Sequence, residues 1–187
     1  MRASPAPSER WQPGDETPAG GCAPCAASNG LLRAETLIRQ LALNPHPEGG
    51  WYRECFRSSA VVQPHDGRPP RAALTSIDFL LMRGQHSAWH RVRSDEAWHL
   101  LEGGPLCLWL LPPSGAPLLR VQLGPAGNLR HIVPADWWQA AEPLDDFAYV
   151  GATVGPGFDF ADFGCGRDDP ALRRVLQQQA PELQRLL

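Results

Sequence analysis

The chain has 187 residues, 43% hydrophobic and 20% charged, with a formal net charge of −3 at pH 7. That length suits one domain with a substantial core, and a pI near 6.0 excludes a general nucleic-acid binder. All 17 basic residues are arginine, which rules out lysine Schiff-base chemistry, and no apolar run approaches the roughly 20 residues of a membrane span.

Residues 1–30 include 18 Ala, Pro, Gly or Ser without any hydrophobic period, the composition of a disordered tail. The tail carries Cys22-Ala-Pro-Cys25. A redox CxxC needs a folded helix N-terminus to lower its thiol pKa, and nothing nearby supplies one. The five cysteines are odd in number and scattered, unlike a disulfide framework. Cys107, inside an apolar run, reads as a small buried hydrophobe. With no signal peptide apparent, the expected compartment is the cytoplasm.

Residues 34–43 form an amphipathic helix on Leu37, Ile38, Leu41 and Leu43, stopped by Asn44-Pro45. His46-Pro47-Glu48-Gly49-Gly50 then makes a turn. Beyond it, Tyr52, Glu54 and Phe56 share one face of a strand, and Trp51, Arg53 and Cys55 the other. A glutamate between two aromatic residues is costly to bury unpaired, so that face is expected to be exposed or to line a ligand pocket. Residues 61–71 read as a polar, Pro-rich loop with a solvated His65, and residues 75–81 as a strand.

Residues 84–104 hold three of the six histidines, His86, His90 and His99, with Asp95, Glu96, Trp89 and Trp98. Two alternating runs, 87–92 and 97–101, flank Arg93-Ser94-Asp95, which predicts a β-hairpin. Direct pairing would bring His90 opposite Glu96, within about 5 Å at Cβ. Residues 105–111 are a continuous apolar strand, 118–123 another, 131–134 and 138–141 a pair around Ala135-Asp136, and 147–154 the last clear strand. Residues 170–179 predict a closing helix with Leu172, Val175 and Leu176 on one face. Many short strands with tight turns imply an all-β jelly roll or sandwich with short flanking helices. The domain is expected over 34–165, with a helical extension over 166–187.

Two chemistries compete at the central stretch. His90, Glu96 and Gln139 could hold a divalent metal ion, although one nitrogen and two oxygen donors suit iron or zinc poorly. Alternatively, no cofactor is needed: His90 is a general base whose pKa Glu96 tunes, able to take a proton beside a carbonyl. Trp98 and Phe158 would then pack a sugar or base ring, Arg53 or Gln139 would bind an oxygen, and Tyr52 would donate from the opposite side. A vestigial pocket, in which His90 and Glu96 only bond each other, and a non-catalytic small-molecule binder complete the alternatives.

The spacing of Gly84, His90, Val92, Glu96 and Gly103 resembles the first motif of the cupin superfamily, with Val92 where a second histidine is usual. Pro134, Asp136 and Gln139 resemble the second motif, with Gln139 in place of its histidine. His46-Pro47-Glu48-Gly49-Gly50, Trp138-Gln139-Ala140-Ala141 and Pro156-Gly157-Phe158-Asp159-Phe160 look like an uncharacterised cupin family of predicted sugar epimerases. The segment from Glu48 to Phe56 is also similar to the start of dTDP-4-dehydrorhamnose 3,5-epimerase, although Gly49 stands where that enzyme has an arginine. The resemblance implies a cupin jelly roll, a homodimer, and a ligand such as a sugar or nucleotide sugar. It also implies a metal-independent site with His90 as base, and His46, Glu48, Tyr52, Arg53, Glu54, Trp98, Gln139 and Phe158 about the ligand.

Overall fold

The computed structural model describes residues 9–10, 29–125 and 127–187. In chain order they form β1 (Glu9–Arg10), α1 (Asn29–Gln40), β2 (Asn44–Pro45), β3 (Trp51–Arg57), β4 (Val61–Val62) and β5 (Arg71–Ala72). There follow β6 (Thr75–Met82), β7 (Ser87–Val92), β8 (Asp95–Gly103), β9 (Leu106–Leu111) and β10 (Leu119–Leu123). The chain closes with β11 (Arg130–Val133), β12 (Trp138–Pro143), β13 (Phe147–Gly155), β14 (Phe163–Cys165) and α2 (Pro170–Gln179). The Cys22–Cys25 pair lies outside the described residues. No described helix is long and apolar enough to cross a membrane.

Two six-stranded sheets make the sandwich, ordered β1-β10-β9-β12-β7-β14 and β11-β8-β13-β6-β3-β2. The all-β jelly-roll expectation holds, but its two hairpins do not. β7 pairs with β12 and β14, whereas β8 pairs with β11 and β13 in the facing sheet. The predicted pair 131–134 and 138–141 is split in the same way, with β11 on β8 and β12 on β9 and β7. Alternation fixes which side chains share a face, not which strand lies alongside. The two connections cross between the sheets side by side and tie each other down. The Ala135 N–H donates to Asp95 Oδ1 (2.9 Å) and the Asp136 N–H to the Val92 carbonyl (2.8 Å).

The space between the sheets is filled by Phe79, Leu81, Trp98, Leu106, Leu108, Leu110, Leu123 and Val150. β9 is buried along its whole length, as its unbroken apolar run predicts. Cys107 within it is buried, and burial pushes its thiol pKa up to about 12, so it is an inert core residue. The outer face of the first sheet is covered by α2 and the turn at 181–186. Leu172, Leu176, Leu183 and Leu186 pack there on Trp89, Trp109 and Trp138. Each such leucine contributes about 1.5–3 kcal/mol. α2 begins at Pro170, as its sequence predicts, because Asp169 caps the Ala171 and Leu172 N–H groups at 2.8 and 2.9 Å. α1 starts five residues before the predicted boundary and seats Ala34 and Leu37 against Leu80 and Phe147.

Candidate functional site

A cavity of about 380 Å³ opens between the sheets, where the inward positions shrink to Thr75, Val92, Ala152 and Val154. Strand register sets one wall in rows. Glu96, Val154, Thr75 and Arg57 lie side by side across β8, β13, β6 and β3. Trp98, Ala152, Ile77 and Glu54 form the next row. A bulge between Glu54 and Phe56 breaks the alternation of β3. Phe56 is therefore exposed, and Arg57, absent from the sequence-based site, faces the cavity instead. On the opposite wall a bulge where β7 meets β12 aligns Ser87 with His90 and Val92 on the cavity side.

Glu48 reaches His90 because the turn before β3 packs unusually close to β7. Gly49 has φ +106°, and a Cβ there would lie 2.2 Å from the His86 carbonyl oxygen. Only glycine permits both this backbone conformation and this approach. The segment is pinned by the Ala88 N–H, which donates to the Glu48 carbonyl at 2.9 Å. The Glu48 carboxylate then accepts from Ser87 Oγ and lies against His90 Nδ1, both at 2.9 Å.

His90 is 4% exposed, and its Nδ1 also faces the Ala88 carbonyl at 2.8 Å. Both neighbours are acceptors, so Nδ1 carries a proton. The ring stacks on Phe163, with centroids 5.8 Å apart and planes inclined by 21°. Nε2 has no protein partner among the described residues, and the residue lines the cavity. Burial opposes a charge on the ring. The nearby Glu48 carboxylate, its hydrogen bond, and then Glu96 and the Ala88 carbonyl outweigh it, raising the pKa to about 9. His90 is thus an imidazolium at neutral pH. The expectation of a basic His90 tuned by Glu96 is corrected on this point: Glu48 is its chief partner, and the ring is already protonated. In turn, burial raises the Glu48 pKa but His90 outweighs it, leaving Glu48 below its ordinary value.

Glu96 is 7% exposed and sits across the cavity from His90, on the other sheet rather than on a hairpin partner. Its pKa is raised, first by burial and also by Glu48, against the opposing pull of His90 and Gln139. Gln139 is fully buried and does not line the cavity. Trp98 Nε1 donates to Gln139 Oε1 at 3.0 Å, and Gln139 Nε2 donates to Glu96 Oε2 at 2.5 Å. The indole N–H is a donor only, so it fixes which end of the amide faces Glu96. Glu96 Oε2 must therefore accept, and any proton that Glu96 carries sits on Oε1. That atom has no partner among the described residues and belongs to a cavity-lining side chain.

The remaining expectations divide. His46, Tyr52, Glu54, Trp98 and Phe158 line the cavity with Glu48, His90 and Glu96. His46 accepts the Glu48 N–H on Nδ1 at 3.2 Å and stands edge-on to Tyr52 and Phe79. Burial, the largest influence, lowers its pKa, so it is a neutral imidazole with its proton on Nε2. Arg53 does not belong to the site: it lies on the outer face of β3, 2.8 Å from Asp78, and is absent from the cavity lining. Gln139 is likewise absent from the cavity lining and instead hydrogen-bonds Glu96 from behind. At the rim, Arg57 pairs with both oxygens of Glu54 (3.0 and 2.6 Å) and donates to the Phe158 carbonyl at 3.1 Å. Asp159 and the exposed Phe160 complete the rim.

The proposed metal set of His90, Glu96 and Gln139 does not fit a metal ion. Both ends of the Gln139 amide are hydrogen-bonded within the protein, and Val92 offers no donor. No group of three or more His, Cys, Asp or Glu side chains among the described residues is arranged to hold one.

Residues 35–165 match a family described as Cupin superfamily (DUF985). A hypothetical protein from Leishmania major is 30% identical, with a TM-score of 0.71 over 82% of this chain and 97% of its own. A crystal structure of a protein from Shewanella oneidensis is 33% identical, with a TM-score of 0.71 over 82% of this chain and 96% of its own. Oxalate decarboxylase from Bacillus subtilis shares the fold at 12% identity, with a TM-score of 0.51 over 77% of this chain and 36% of its own. No curated protein matches the sequence. The sandwich, the family match and these two relatives agree that the chain belongs to the DUF985 family of the cupin superfamily.

Proposed function

We propose that this protein is a metal-independent cupin that binds a small polar carbonyl compound and moves a proton on the carbon beside the carbonyl, as an isomerase or epimerase does. One observation supports the reading above the others. Two buried groups, the His90 cation and Glu96 with its raised pKa, face one cavity from opposite walls. A ring N–H donor and a carboxyl with an open oxygen, held on opposite sides of one space, are the pair that acid–base chemistry needs. His90 Nε2–H donates to the carbonyl oxygen and stabilises the enolate that develops there. Glu96, as the carboxylate, removes the α-proton onto Oε1; its raised pKa makes it a stronger base than an ordinary glutamate. In a 2-hydroxy carbonyl compound, returning that proton to the former carbonyl carbon isomerises it: the old carbonyl oxygen keeps the proton from His90 Nε2, and the 2-hydroxyl becomes the new carbonyl by giving its proton back to Nε2. Returning a proton to the other face of the same carbon epimerises it, and Tyr52 and His46 are lining residues with hydrogen-bond donors.

The test is exchange of α-hydrogen for deuterium in a panel of 2-hydroxy ketones and aldoses incubated in D2O, followed by proton NMR. Wild type is expected to exchange at least one member, and Glu96→Gln to lose exchange while still binding it. Equal exchange by Glu96→Gln, or binding without any exchange by wild type, would contradict the proton-transfer reading.

A further inference from the structure

Every cation on the cavity wall is already neutralised by a carboxylate of this chain. His90 lies 2.9 Å from Glu48. The Arg57 guanidinium is engaged on all three nitrogens, two with Glu54 and one with the Phe158 carbonyl. The chain contains no lysine, and Arg53 pairs with Asp78 on the outer face, away from the cavity lining. Two further carboxyl groups line the cavity without a direct ion pair among the described residues: Glu96 in the interior, across from His90, and Asp159 at the rim, near Arg57. Asp159 Oδ1 accepts only the Ala161 N–H, at 2.9 Å. A ligand phosphate or carboxylate would therefore enter a space whose cations are already paired and where carboxyl groups outnumber them, and desolvating an anion there is strongly unfavourable.

The groups left open in the interior suit a different partner. His90 Nε2 presents a donor, Glu96 Oε1 accepts or donates a proton, and the walls between them are the rings of Tyr52, Phe79, Trp98 and Phe158. From this pairing of charges we infer that the ligand is an uncharged carbonyl compound, and that phosphorylated and carboxylated relatives, nucleotide sugars included, are excluded. The inference rests on the carbonyl-binding reading above and narrows it to one charge class. The Glu54–Arg57 pair is the gate of that selectivity, because removing Glu54 would leave a rim guanidinium free for an anion.

Dihydroxyacetone and its phosphate form a matched pair of probes. Each is titrated against 15N-labelled protein while the Trp98 indole N–H and His90 ring resonances are followed, in wild type and in Glu54→Ala. The expected result is saturable shifts with dihydroxyacetone and binding of the phosphate weaker by about tenfold or more. Glu54→Ala should narrow that gap by about threefold or more. Phosphate binding as tight as that of the neutral probe in wild type would overturn the inference while leaving the carbonyl reading intact. No response to either probe would instead refute the carbonyl reading on which it rests.

Discussion

Two buried carboxyl groups in this molecule meet opposite treatment. Asp162, 6% exposed, is held by Arg71 through Nε and Nη2 at 2.8 and 3.0 Å and by Arg68 Nη1 at 2.8 Å. These guanidinium groups, Arg71 foremost, keep its pKa below the ordinary value. Glu96 is nearly as buried but receives one amide donor, sits opposite a histidine cation, and has its pKa raised. Asp162 is saturated and does not line the cavity; it ties the loop bearing β4 and β5 to the segment before β14. Glu96 leaves an oxygen open to a space that a ligand could fill. A carboxyl whose partners are complete is structural, whereas one left deliberately short of partners beside a cavity points to chemistry.

If that contrast is right, removing the charge of Asp162 should have the largest effect on stability. Asp162→Asn leaves the buried Arg71 with no carboxylate partner and Arg68 with Asp66 alone, and arginine cannot relieve itself by losing a proton. Denaturant unfolding should show a loss of about 3–5 kcal/mol. Glu48→Gln breaks a pair of similar burial, but histidine can deprotonate, so the expected loss at neutral pH is smaller, about 2 kcal/mol. The pair also has a pH signature. The folded pKa of His90 is raised, so its contribution is complete below the ordinary value near 6.5 and is lost as pH rises through about 9. Wild type should lose stability over that range relative to Glu48→Gln, which chemical denaturation across pH 6–9 will show.

Gln139→Leu sharpens the comparison at the other end. It removes the acceptor of the Trp98 N–H and the donor to Glu96, at an expected cost of about 1–2 kcal/mol. Because that donor favours the carboxylate, its loss should also raise the Glu96 pKa further, measurable by 13C NMR of the side-chain carboxyl. The linkage sign for Glu96 is that of a raised acid. Its protonation favours the fold below the ordinary value, and that stability declines as pH rises towards the folded pKa. The smallest effect is expected at the rim, where Glu54→Ala breaks an exposed ion pair and should cost less than about 1 kcal/mol.

The sequence made much of the fold legible. The apolar run of β9, the Pro-led α2 and the alternation of β6 each have one plausible conformation, and the structure keeps all three. The spacing of His90 and Glu96 likewise marked two residues that do meet across a cavity. What stayed hidden depends on contacts distant in sequence. Glu48 as the partner of His90 arises from the docking of the Gly49 turn on β7, for which the adjacent glycines were the available signal. Arg57 was missed because a one-residue bulge reverses the faces of β3 beyond Glu54, and alternation carries no sign of a bulge. The arginines around Asp162 lay in a stretch read as a polar loop, where composition alone does not distinguish a solvated arginine from a buried one.

The proposed chemistry turns on the charge of His90. Proton-coupled 15N spectra of the protein labelled at histidine, recorded from pH 5 to 10, report it directly. The prediction is a ring protonated on both nitrogens at pH 7.5 that titrates near pH 9, with that titration displaced to lower pH in Glu48→Gln. A His90 ring that is neutral at pH 7.5, or that titrates near 6.5 in both proteins, would contradict it and remove the imidazolium on which the proposed chemistry depends.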